Sequence, residues 1–302
     1  MKLAIHGLGR MGMQIARKLS EDGHQVIAHN RSPDKIETAV GFGAIAALTK
    51  QEVLDQFKGE QAVVWMMLPA ETVEEELNAW LAVLPSGSLL IDGGNSDFRL
   101  TKIHAEMVSS HGSMLVDVGV SGGVWGYQHG FSMMAGGSED GFKNIEPAFK
   151  TLALPEGAYH YFGPAGAGHF VKMVHNAIEY GMMESLAEGY RMLKEGPYKS
   201  LDLGAAGDIW QHHSVITSWL NELCRDALSE NPGLEGIEGY VAESGEARWT
   251  LEAAEKLGIP LPSIQAAFNV RLASQKGEVS FATKLLSAMR NKFGGHELNK
   301  EQ

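Results

Sequence analysis

The residues best suited to proton-transfer chemistry lie close together, between residues 168 and 181. Five polar residues there follow the spacing i, i+3, i+4, i+7 and i+8, which places them on one face of a helix: Lys172, His175, Asn176, Glu179 and Tyr180. The rest of the segment is largely apolar, so the helix should be mostly buried. Burial lowers the pKa of a lysine towards neutrality, as a general base requires. A solvated, salt-bridged stripe is the alternative, and the apolar surroundings make it the less favoured one.

Two glycine-rich turns carry further groups that could bind a ligand. Asp92–Ser96 and Ser121–Gly126 each follow a predicted strand. Turns of this kind present backbone N–H groups and short polar side chains, which can bind a carboxylate or an amide. Each could also be only a tight connection. Their position at strand ends, where open α/β sheets bind ligands, favours a functional role facing the polar side of the Lys172 helix.

A dinucleotide-binding motif lies near the N-terminus. The predicted strand Lys2–His6 runs directly into Gly7-Leu8-Gly9-Arg10-Met11-Gly12, a G-x-G-x-x-G that opens a helix. The first glycine allows the tight turn, the second lets the pyrophosphate approach the backbone, and the third allows helix and strand to pack closely. A glycine turn without a nucleotide is the alternative, but the flanking strand and helix favour cofactor binding.

The end of the second predicted strand bears on the choice between NAD and NADP. NAD enzymes place a carboxylate there, which accepts a hydrogen bond from the ribose 2′-hydroxyl. This chain has Asn30-Arg31-Ser32 instead. Arg31 can pair with a 2′-phosphate and its neighbours can hydrogen-bond to it, so NADP is favoured and NAD remains possible. A solvated surface arginine is the alternative interpretation of Arg31.

The elements that must position these groups change character midway along the chain. The first half alternates strand-like runs with amphipathic helices such as Met11–Glu21 and Thr72–Leu84, which predicts a doubly wound, Rossmann-type α/β sheet. The predicted strands are Lys2–His6, Gln25–His29, Val63–Leu68, Ser88–Ile91, Met114–Val118 and one around Phe131–Ala135.

A second, all-helical domain is predicted after the glycine-rich stretch Gly163–Gly168. We place the boundary so that residues 1–165 form the dinucleotide-binding domain and residues 166–302 a helical substrate and dimerisation domain. The predicted helices cover His169–Leu193, Ile209–Leu228 and Trp249–Leu257, with another after Pro260 and Pro262.

Composition limits the classes of partner. The 302-residue chain carries a net charge of −12, which disfavours binding to nucleic acid or to anionic membranes. Its longest apolar run, Ala62–Ala70, is shorter than the roughly 20 residues of a membrane helix. The first residues lack the pattern of a secretory signal, and we expect a cytoplasmic protein.

Neither cysteine nor histidine patterns point to a metal. Cys224 is the single cysteine and is expected to be a small buried apolar side chain. His212 and His213 are adjacent on a predicted helix and therefore face different directions, and the sequence has no H-E-x-x-H motif. We therefore expect no metal cofactor.

Taken together, these motifs resemble those of the decarboxylating 6-phosphogluconate dehydrogenases, within the β-hydroxyacid dehydrogenase superfamily. The resemblance covers nearly the whole chain, from Gly7–Gly12 and Asn30-Arg31-Ser32 through both glycine-rich turns to Gly168–Gly181. Near the C-terminus, Arg290-Asn291-Lys292-Phe293-Gly294-Gly295-His296 is similar to the family's tail, and Arg271 occupies a position of a substrate arginine.

The resemblance implies oxidative decarboxylation of 6-phosphogluconate to ribulose 5-phosphate. This reaction belongs to the pentose phosphate pathway and to gluconate metabolism. Lys172 would act as base and then acid at C3, and Glu179 would protonate C1 of the enediol. The implied substrate-binding residues are Asn95, Ser121, Gly122, Gly123, His175, Asn176, Tyr180, Arg271, Arg290 and His296. The implied cofactor-binding residues are Gly7, Leu8, Gly9, Arg10, Met11, Gly12, Asn30, Arg31, Ser32, Met67, Leu68, Pro69 and Asn95.

The chain also departs from the longer members of that family. Where those members have a second lysine before a Lys-Trp-Thr motif, this chain has Glu243–Thr250, so a phosphate contact is missing or is replaced by Arg248. The shorter helical half resembles a short branch in which some enzymes prefer NAD. The family's tail reaches a neighbouring active site, which implies a homodimer or homotetramer.

Two other functions remain open from the sequence. One is another β-hydroxyacid dehydrogenase, of the 3-hydroxyisobutyrate or tartronate semialdehyde type, although such enzymes need no phosphate-binding arginines. The other is a non-catalytic NADP-binding scaffold, which would have no reason to keep Lys172 together with Glu179.

Overall fold

The computed structural model describes residues 1–295. The chain divides into two compact units, Met1–Met173 and a second that begins at Val174. The predicted fold class is confirmed: an N-terminal sheet with helices is followed by an all-helical region.

The sheet of the first unit has eight strands within the described chain. They are β1 (Lys2–His6), β2 (Gln25–His29), β3 (Ile45–Ala47), β4 (Val63–Met66), β5 (Leu89–Asp92), β6 (Met114–Ser121), β7 (Ser132–Gly137) and β8 (Tyr159–Tyr161). The spatial order β3-β2-β1-β4-β5-β6 is parallel throughout and is the order of a dinucleotide-binding sheet. Successive strands are added on one side of β1 up to β3 and on its other side from β4 onwards. Sheets of this kind bind their ligands at the carboxyl ends of the strands where the order switches, here between β1 and β4.

Three features of the sheet differ from the sequence prediction. The strands β3 and β8 were not predicted, and β7 runs antiparallel to β6 in a sheet expected to be parallel. The central strands were predicted because they are continuous apolar runs; all four residues of β4, for example, are buried.

The helices of the first unit connect these strands. They are α1 (Arg10–Glu21), α2 (Pro33–Val40), α3 (Lys50–Phe57), α4 (Ala70–Leu81), α5 (Phe98–Ser110), α6 (Gly126–His129) and α7 (Glu139–Ala153). A short 3-10 turn, Gly123–Trp125, precedes α6. One hydrophobic core runs through the unit and includes Leu3, Ile5, Trp65 and Trp80, all fully buried. This core fixes the strand ends that carry the glycine-rich turns.

The long helix α8 (Ala167–Glu195) begins in the first unit and continues into the second. The second unit also contains α9 (Leu203–Gln211), α10 (Trp219–Glu230), α11 (Glu246–Leu257), α12 (Pro262–Ser274) and α13 (Phe281–Gly294). Cys224 is fully buried in its main core, as expected, with Sγ 3.0 Å from Sδ of Met289. No helix in residues 1–295 has the length and apolar character to cross a membrane.

The predicted single helix Ile209–Leu228 is wrong, because the chain forms α9 and α10 with a break between them. His213 adopts a left-handed backbone conformation (φ 58°), which ends the helical path. The Ser218 hydroxyl then accepts a hydrogen bond from the N–H of Asn221 and caps α10. The prediction that His212 and His213 lie on a helix is therefore also wrong: His212 caps the end of α9, and both lie outside it.

Candidate active site

The glycine motif has the geometry of a phosphate-binding turn. Gly7 has φ 99°, and a Cβ there would lie 2.5 Å from the Met67 carbonyl oxygen, while a Cβ on Gly12 would lie 2.0 Å from the Gly7 carbonyl oxygen. A Cβ on Gly9, by contrast, would have no atom of the described chain within 4 Å, so the backbone there is open to a ligand. Within residues 1–295, no side chain caps α1 and its first turn holds no acidic residue. The N–H groups of this helix end therefore suit an anion.

The turn after β2 places Arg31 and Asn30 in different roles. The Asn30 side chain accepts a hydrogen bond from the Leu8 N–H at 3.0 Å and donates to the Ser32 carbonyl at 3.2 Å. Asn30 therefore ties the glycine turn to the β2–α2 turn. Arg31 is exposed beside it. The predicted 2′-phosphate contact would thus fall mainly on Arg31 and Ser32.

The segment after β4, predicted to contact the cofactor, packs against two of the glycine turns. The Met67 N–H donates to the His6 carbonyl at 2.8 Å, and the Leu68 carbonyl oxygen lies 2.5 Å from the position of a Cβ on Gly94. Met67 and Leu68 thus lie directly against the glycine turns that follow β1 and β5. Pro69 then caps α4.

Asp92 organises the turn that carries Asn95. Its buried carboxylate accepts hydrogen bonds from the Gly94 N–H at 3.1 Å and from the Ser96 hydroxyl at 2.8 Å. Asn95 is exposed at the tip. The side-chain amide of Asn95, predicted to bind a ligand, thus lies on a turn that the buried Asp92 carboxylate stabilises through hydrogen bonds.

The second glycine-rich turn follows directly from β6. Ser121 is the last residue of β6 and pairs with Ser132 of β7. The chain then turns sharply at Gly122 (φ 134°) and Gly123 (φ 52°). All three residues are partly exposed. Because β6 is parallel to β5, this turn lies at the same carboxyl edge of the sheet as the turns that follow β1 and β5.

Lys172 is buried near the start of α8, and Asp117 and Gly119 of β6 set its position. The Asp117 carboxylate accepts hydrogen bonds from the N–H groups of Gly166 and His169, both at 2.9 Å. A Cβ on Gly119 would lie 2.2 Å from the Lys172 Cβ, so only glycine allows the helix to lie this close to the strand. Lys172 as a whole residue is 7% exposed.

His169 links the start of α8 to the Asn95 turn. Its Nε2 lies 3.2 Å from the Asp92 carbonyl oxygen, and its Nδ1 lies 2.8 Å from the Thr101 hydroxyl. Because a carbonyl only accepts, Nε2 carries the hydrogen. His169 is thus a buried structural connection within the first unit.

In the second unit, the predicted phosphate-binding residues Tyr180, Arg271 and Arg290 lie in one charged cluster. The Arg271 guanidinium stacks on the Tyr180 ring, 3.2 Å from its centroid, and both residues are buried. Burial lowers the pKa of Arg271 to about 10, opposed by Tyr180 and Glu179. The same effect of burial lowers the pKa of Arg290, again opposed by Tyr180 and Glu179. Two buried guanidinium groups thus lie within electrostatic reach of the Glu179 carboxylate.

His175 and Asn176 are joined to a carboxylate of α11. His175 Nδ1 lies 2.9 Å from the Asn176 side-chain oxygen, and the Asn176 amide donates to Glu246 at 2.8 Å. Glu246 was not among the predicted site residues. It is 2% exposed, and its second oxygen accepts from the Ser244 hydroxyl at 2.6 Å.

Two predicted residues remain, Arg248 and His296. Arg248, the suggested replacement for the second lysine, forms an ion pair with Glu243 and is half exposed. His296 lies outside the described residues. Among residues 1–295, no group of three or more His, Cys, Asp or Glu side chains is arranged to hold a metal ion.

Comparison with known proteins decides the family. Residues 2–163 match the NAD-binding domain of 6-phosphogluconate dehydrogenase, and residues 168–302 match the C-terminal domain of the same enzyme. The chain belongs to the 6-phosphogluconate dehydrogenase family. It is thus a dehydrogenase with an NAD(P)-binding domain.

Two relatives are similar over their whole length. A putative 6-phosphogluconate dehydrogenase of Bacillus subtilis is 33% identical, covering 100% of both chains. The NAD(+)-dependent, decarboxylating 6-phosphogluconate dehydrogenase of Haloferax volcanii is 34% identical, covering 99% of this chain and 98% of that one.

Solved structures share the fold. The Plasmodium falciparum 6-phosphogluconate dehydrogenase, determined with NADP+ and with 6-phosphogluconate, has a TM-score of 0.81 at 24% identity, covering 97% of this chain and 65% of that one. The Mycobacterium tuberculosis 3-hydroxyisobutyrate dehydrogenase has a TM-score of 0.74 at 22% identity, covering 95% and 98%. The fold is therefore common to both types of dehydrogenase.

The residues that sequence reasoning missed are the buried partners of the predicted ones. Asp92 and His169 lie inside the recognised motifs but were given no role, and Glu246 lies in the segment Glu243–Thr250, which stood out only as a departure from the family. Asp117 lies within a predicted strand. A charged residue inside an apolar strand was the available signal, since buried carboxylates occur where they have donors to accept from.

Proposed function

We propose that this protein catalyses the oxidative decarboxylation of 6-phosphogluconate to ribulose 5-phosphate and carbon dioxide, with NADP as the favoured hydride acceptor. The observation that carries the proposal is the cluster of Arg271, Arg290, Tyr180 and Glu179. Two buried cations suit the phosphate of the substrate, whereas a small hydroxy acid has no phosphate for them to bind. Family membership supports the same conclusion.

Lys172 is proposed to carry the proton at C3. As a neutral amine it accepts the proton of the C3 hydroxyl as C3 is oxidised. A bound NADP would supply the hydride acceptor for that oxidation. The resulting ammonium of Lys172 donates that proton back to the C3 ketone oxygen. The carbonyl then accepts the electrons of the breaking C1–C2 bond, and carbon dioxide leaves. The buried position of Lys172, packed closely against Gly119 of β6, supports this role.

Glu179 is proposed to complete the reaction. Loss of carbon dioxide leaves an enediol. A protonated Glu179 donates a proton to its terminal carbon, which is C2 of the substrate and C1 of the product. The hydroxyl at the former C3 gives its proton to the neutral amine of Lys172, which forms the ketone of ribulose 5-phosphate. Glu179 lies on the same helix as Lys172, at i+7, and acts electrostatically on both buried arginines. Its position beside the proposed phosphate site supports its contact with substrate.

The remaining predicted residues are proposed as binding groups. Asn95, Ser121, Gly122, Gly123, His175 and Asn176 would position the sugar acid, and His296 would join the arginines at the phosphate. The open backbone at Gly9 and the uncapped start of α1 support pyrophosphate binding there. Exposed Arg31 supports NADP over NAD.

The wider assignments rest on the sequence and on family membership. We propose a homodimer or homotetramer in which the C-terminal tail completes the neighbouring site, and a cytoplasmic enzyme of the pentose phosphate pathway. The proposed domain boundary stays at residue 165, between the two regions that match the family.

Product analysis tests the proposed function. Purified protein should release one carbon dioxide per hydride transferred from 6-phosphogluconate to NADP. It should not oxidise 3-hydroxyisobutyrate with NADP or reduce tartronate semialdehyde with NADPH. Oxidation without carbon dioxide, or turnover of only the small acids, would identify another β-hydroxyacid dehydrogenase. NADP binding without turnover of any of these substrates would favour the scaffold.

A further inference from the structure

We propose that Glu246 is a positioning residue that fixes the amide orientation of Asn176 and, through it, the tautomer of His175. The inference rests on the proposed function, in which His175 and Asn176 contact the sugar acid. The observation that carries it is a chain of hydrogen bonds within the second unit, from Ser244 through Glu246 and Asn176 to His175.

The direction of these bonds follows from the acceptor at one end. A carboxylate can only accept hydrogen bonds, and Glu246 accepts one at each oxygen, from the Ser244 hydroxyl and from the Asn176 side-chain N–H. The NH2 group of Asn176 therefore faces Glu246. Its carbonyl oxygen is turned to the opposite side, where His175 Nδ1 lies 2.9 Å away.

An amide oxygen also only accepts, so His175 Nδ1 must carry the hydrogen. In the neutral imidazole, Nε2 then holds a lone pair and acts as a hydrogen-bond acceptor. A sugar hydroxyl can donate to such an acceptor. The carboxylate thus determines, two residues away along the hydrogen-bond chain, whether His175 offers the substrate an acceptor or a donor.

The backbone holds Glu246 firmly in place. It is the first residue of α11, where a carboxylate is favoured by the helix dipole. The preceding turn passes through Gly245 (φ 98°), whose N–H donates to Glu243 at 2.9 Å, and the Ser244 N–H donates to the Tyr180 hydroxyl at 3.4 Å. The turn that leads to Glu246 is therefore held in part by Tyr180, a member of the charged cluster.

Glu246→Gln changes the direction of the bonds while keeping nearly the same side-chain shape. It also removes a negative charge that raises the pKa of Arg290, so the tautomer of His175 is the readout that is specific to the hydrogen bonds. The glutamine side chain can accept from Asn176 as before, or it can donate to the Asn176 oxygen and let that amide turn over. In the second arrangement the Asn176 NH2 group faces His175 Nδ1, which favours the tautomer with hydrogen on Nε2. The substitution should therefore admit both tautomers.

The experiment records ¹⁵N chemical shifts of the histidine rings in the full chain without substrate, where protonated and unprotonated ring nitrogens are distinct. The His175 signals are those lost in His175→Gln. We expect the wild type to show the Nδ1–H tautomer alone and Glu246→Gln to show a mixture. A wild-type Nε2–H tautomer, or an unchanged spectrum in Glu246→Gln, would overturn the proposal.

Kinetics give the second test. Glu246→Gln should lower kcat/KM for 6-phosphogluconate roughly 10- to 100-fold, the usual effect of a mispaired buried hydrogen bond, with the KM for NADP within about twofold. Unchanged kcat/KM refutes the role in the reaction. If the wild type does not turn over 6-phosphogluconate, the proposed function fails while the tautomer measurement still decides this inference.

Two variants serve as controls. Ser244→Ala removes the other donor to Glu246 but leaves the carboxylate, so the His175 tautomer should stay as in the wild type. Glu255→Gln removes an exposed carboxylate from the same helix and should leave activity unchanged. Thermal unfolding of all variants separates a loss of fold from a change of tautomer.

Discussion

Replacing Arg31 by alanine should weaken the use of NADP without affecting NAD. A hydrogen bond to a charged group contributes about 1.5–3 kcal/mol, and solvent screening reduces this for an exposed residue. Arg31 is exposed, and the Asn30 side chain is already hydrogen-bonded to Leu8 and Ser32. Taking about 1–2 kcal/mol, kcat/KM for NADP should fall roughly 5- to 30-fold.

The assay compares initial rates with NADP and NAD at saturating 6-phosphogluconate, for wild type, Arg31→Ala and Lys35→Ala. Lys35 is an exposed cation on α2 close to Arg31 in sequence, so its removal controls for the general electrostatic field. We expect NAD kinetics to stay within about twofold in both variants. An equal fall with both cofactors in Arg31→Ala would refute the 2′-phosphate contact.

Three other substitutions test the remaining assignments. Lys172→Met should lower kcat by at least about 10³-fold through loss of proton transfer, with the NADP dissociation constant nearly unchanged in a fluorescence titration; normal turnover would remove Lys172 from the mechanism. Glu179→Gln should slow ribulose 5-phosphate formation by about 10²-fold or more in a product assay, and equal rates would exclude it as the proton donor. Burial, and then Glu188, raise the pKa of Glu184 to about 7, so the folded state binds its proton more tightly than the unfolded state, and stability is lost as pH rises towards and through 7. Glu184→Gln should therefore be more stable than wild type at pH 8 by roughly 1–3 kcal/mol in urea unfolding, with little difference near pH 4.5, and a pH-independent difference would contradict this.

The sequence predicted the parts of the fold that carry a strong local pattern. The central strands are apolar runs bounded by turns, and the glycine motif marks the start of α1. The strands β3 and β8 were missed because they are short and lie at opposite edges of the sheet, where Ile45 and His160 are exposed. Their pairing depends on neighbours that no local pattern specifies.

The break between α9 and α10 was missed for a related reason. The segment between them contains Val215 and Ile216, which continue an apolar pattern although both are exposed. Buried Asn221 of α10 donates to the Gly207 carbonyl and to the Gln211 side chain of α9, and accepts from the Tyr190 hydroxyl. This tertiary arrangement favours two helices over one.

In the candidate site, the sequence predicted the motif side chains, and the family resemblance added Arg271 and Arg290, but neither indicated the carboxylates that orient α8. Asp117 is 52 residues from the His169 N–H that it accepts from, and Glu246 is 70 residues from Asn176. Each carboxylate holds a different stretch of α8, one at the start of the helix and one at Asn176. Because a carboxylate only accepts hydrogen bonds, Asp117 and Glu246 each require an N–H group of the partner residue to face them. The remaining polar atoms of that partner then face away from the carboxylate. Part of the orientation in this site is thus carried by residues outside the recognisable motifs, and substitutions of Asp117 and Glu246 should alter activity although every motif residue is retained.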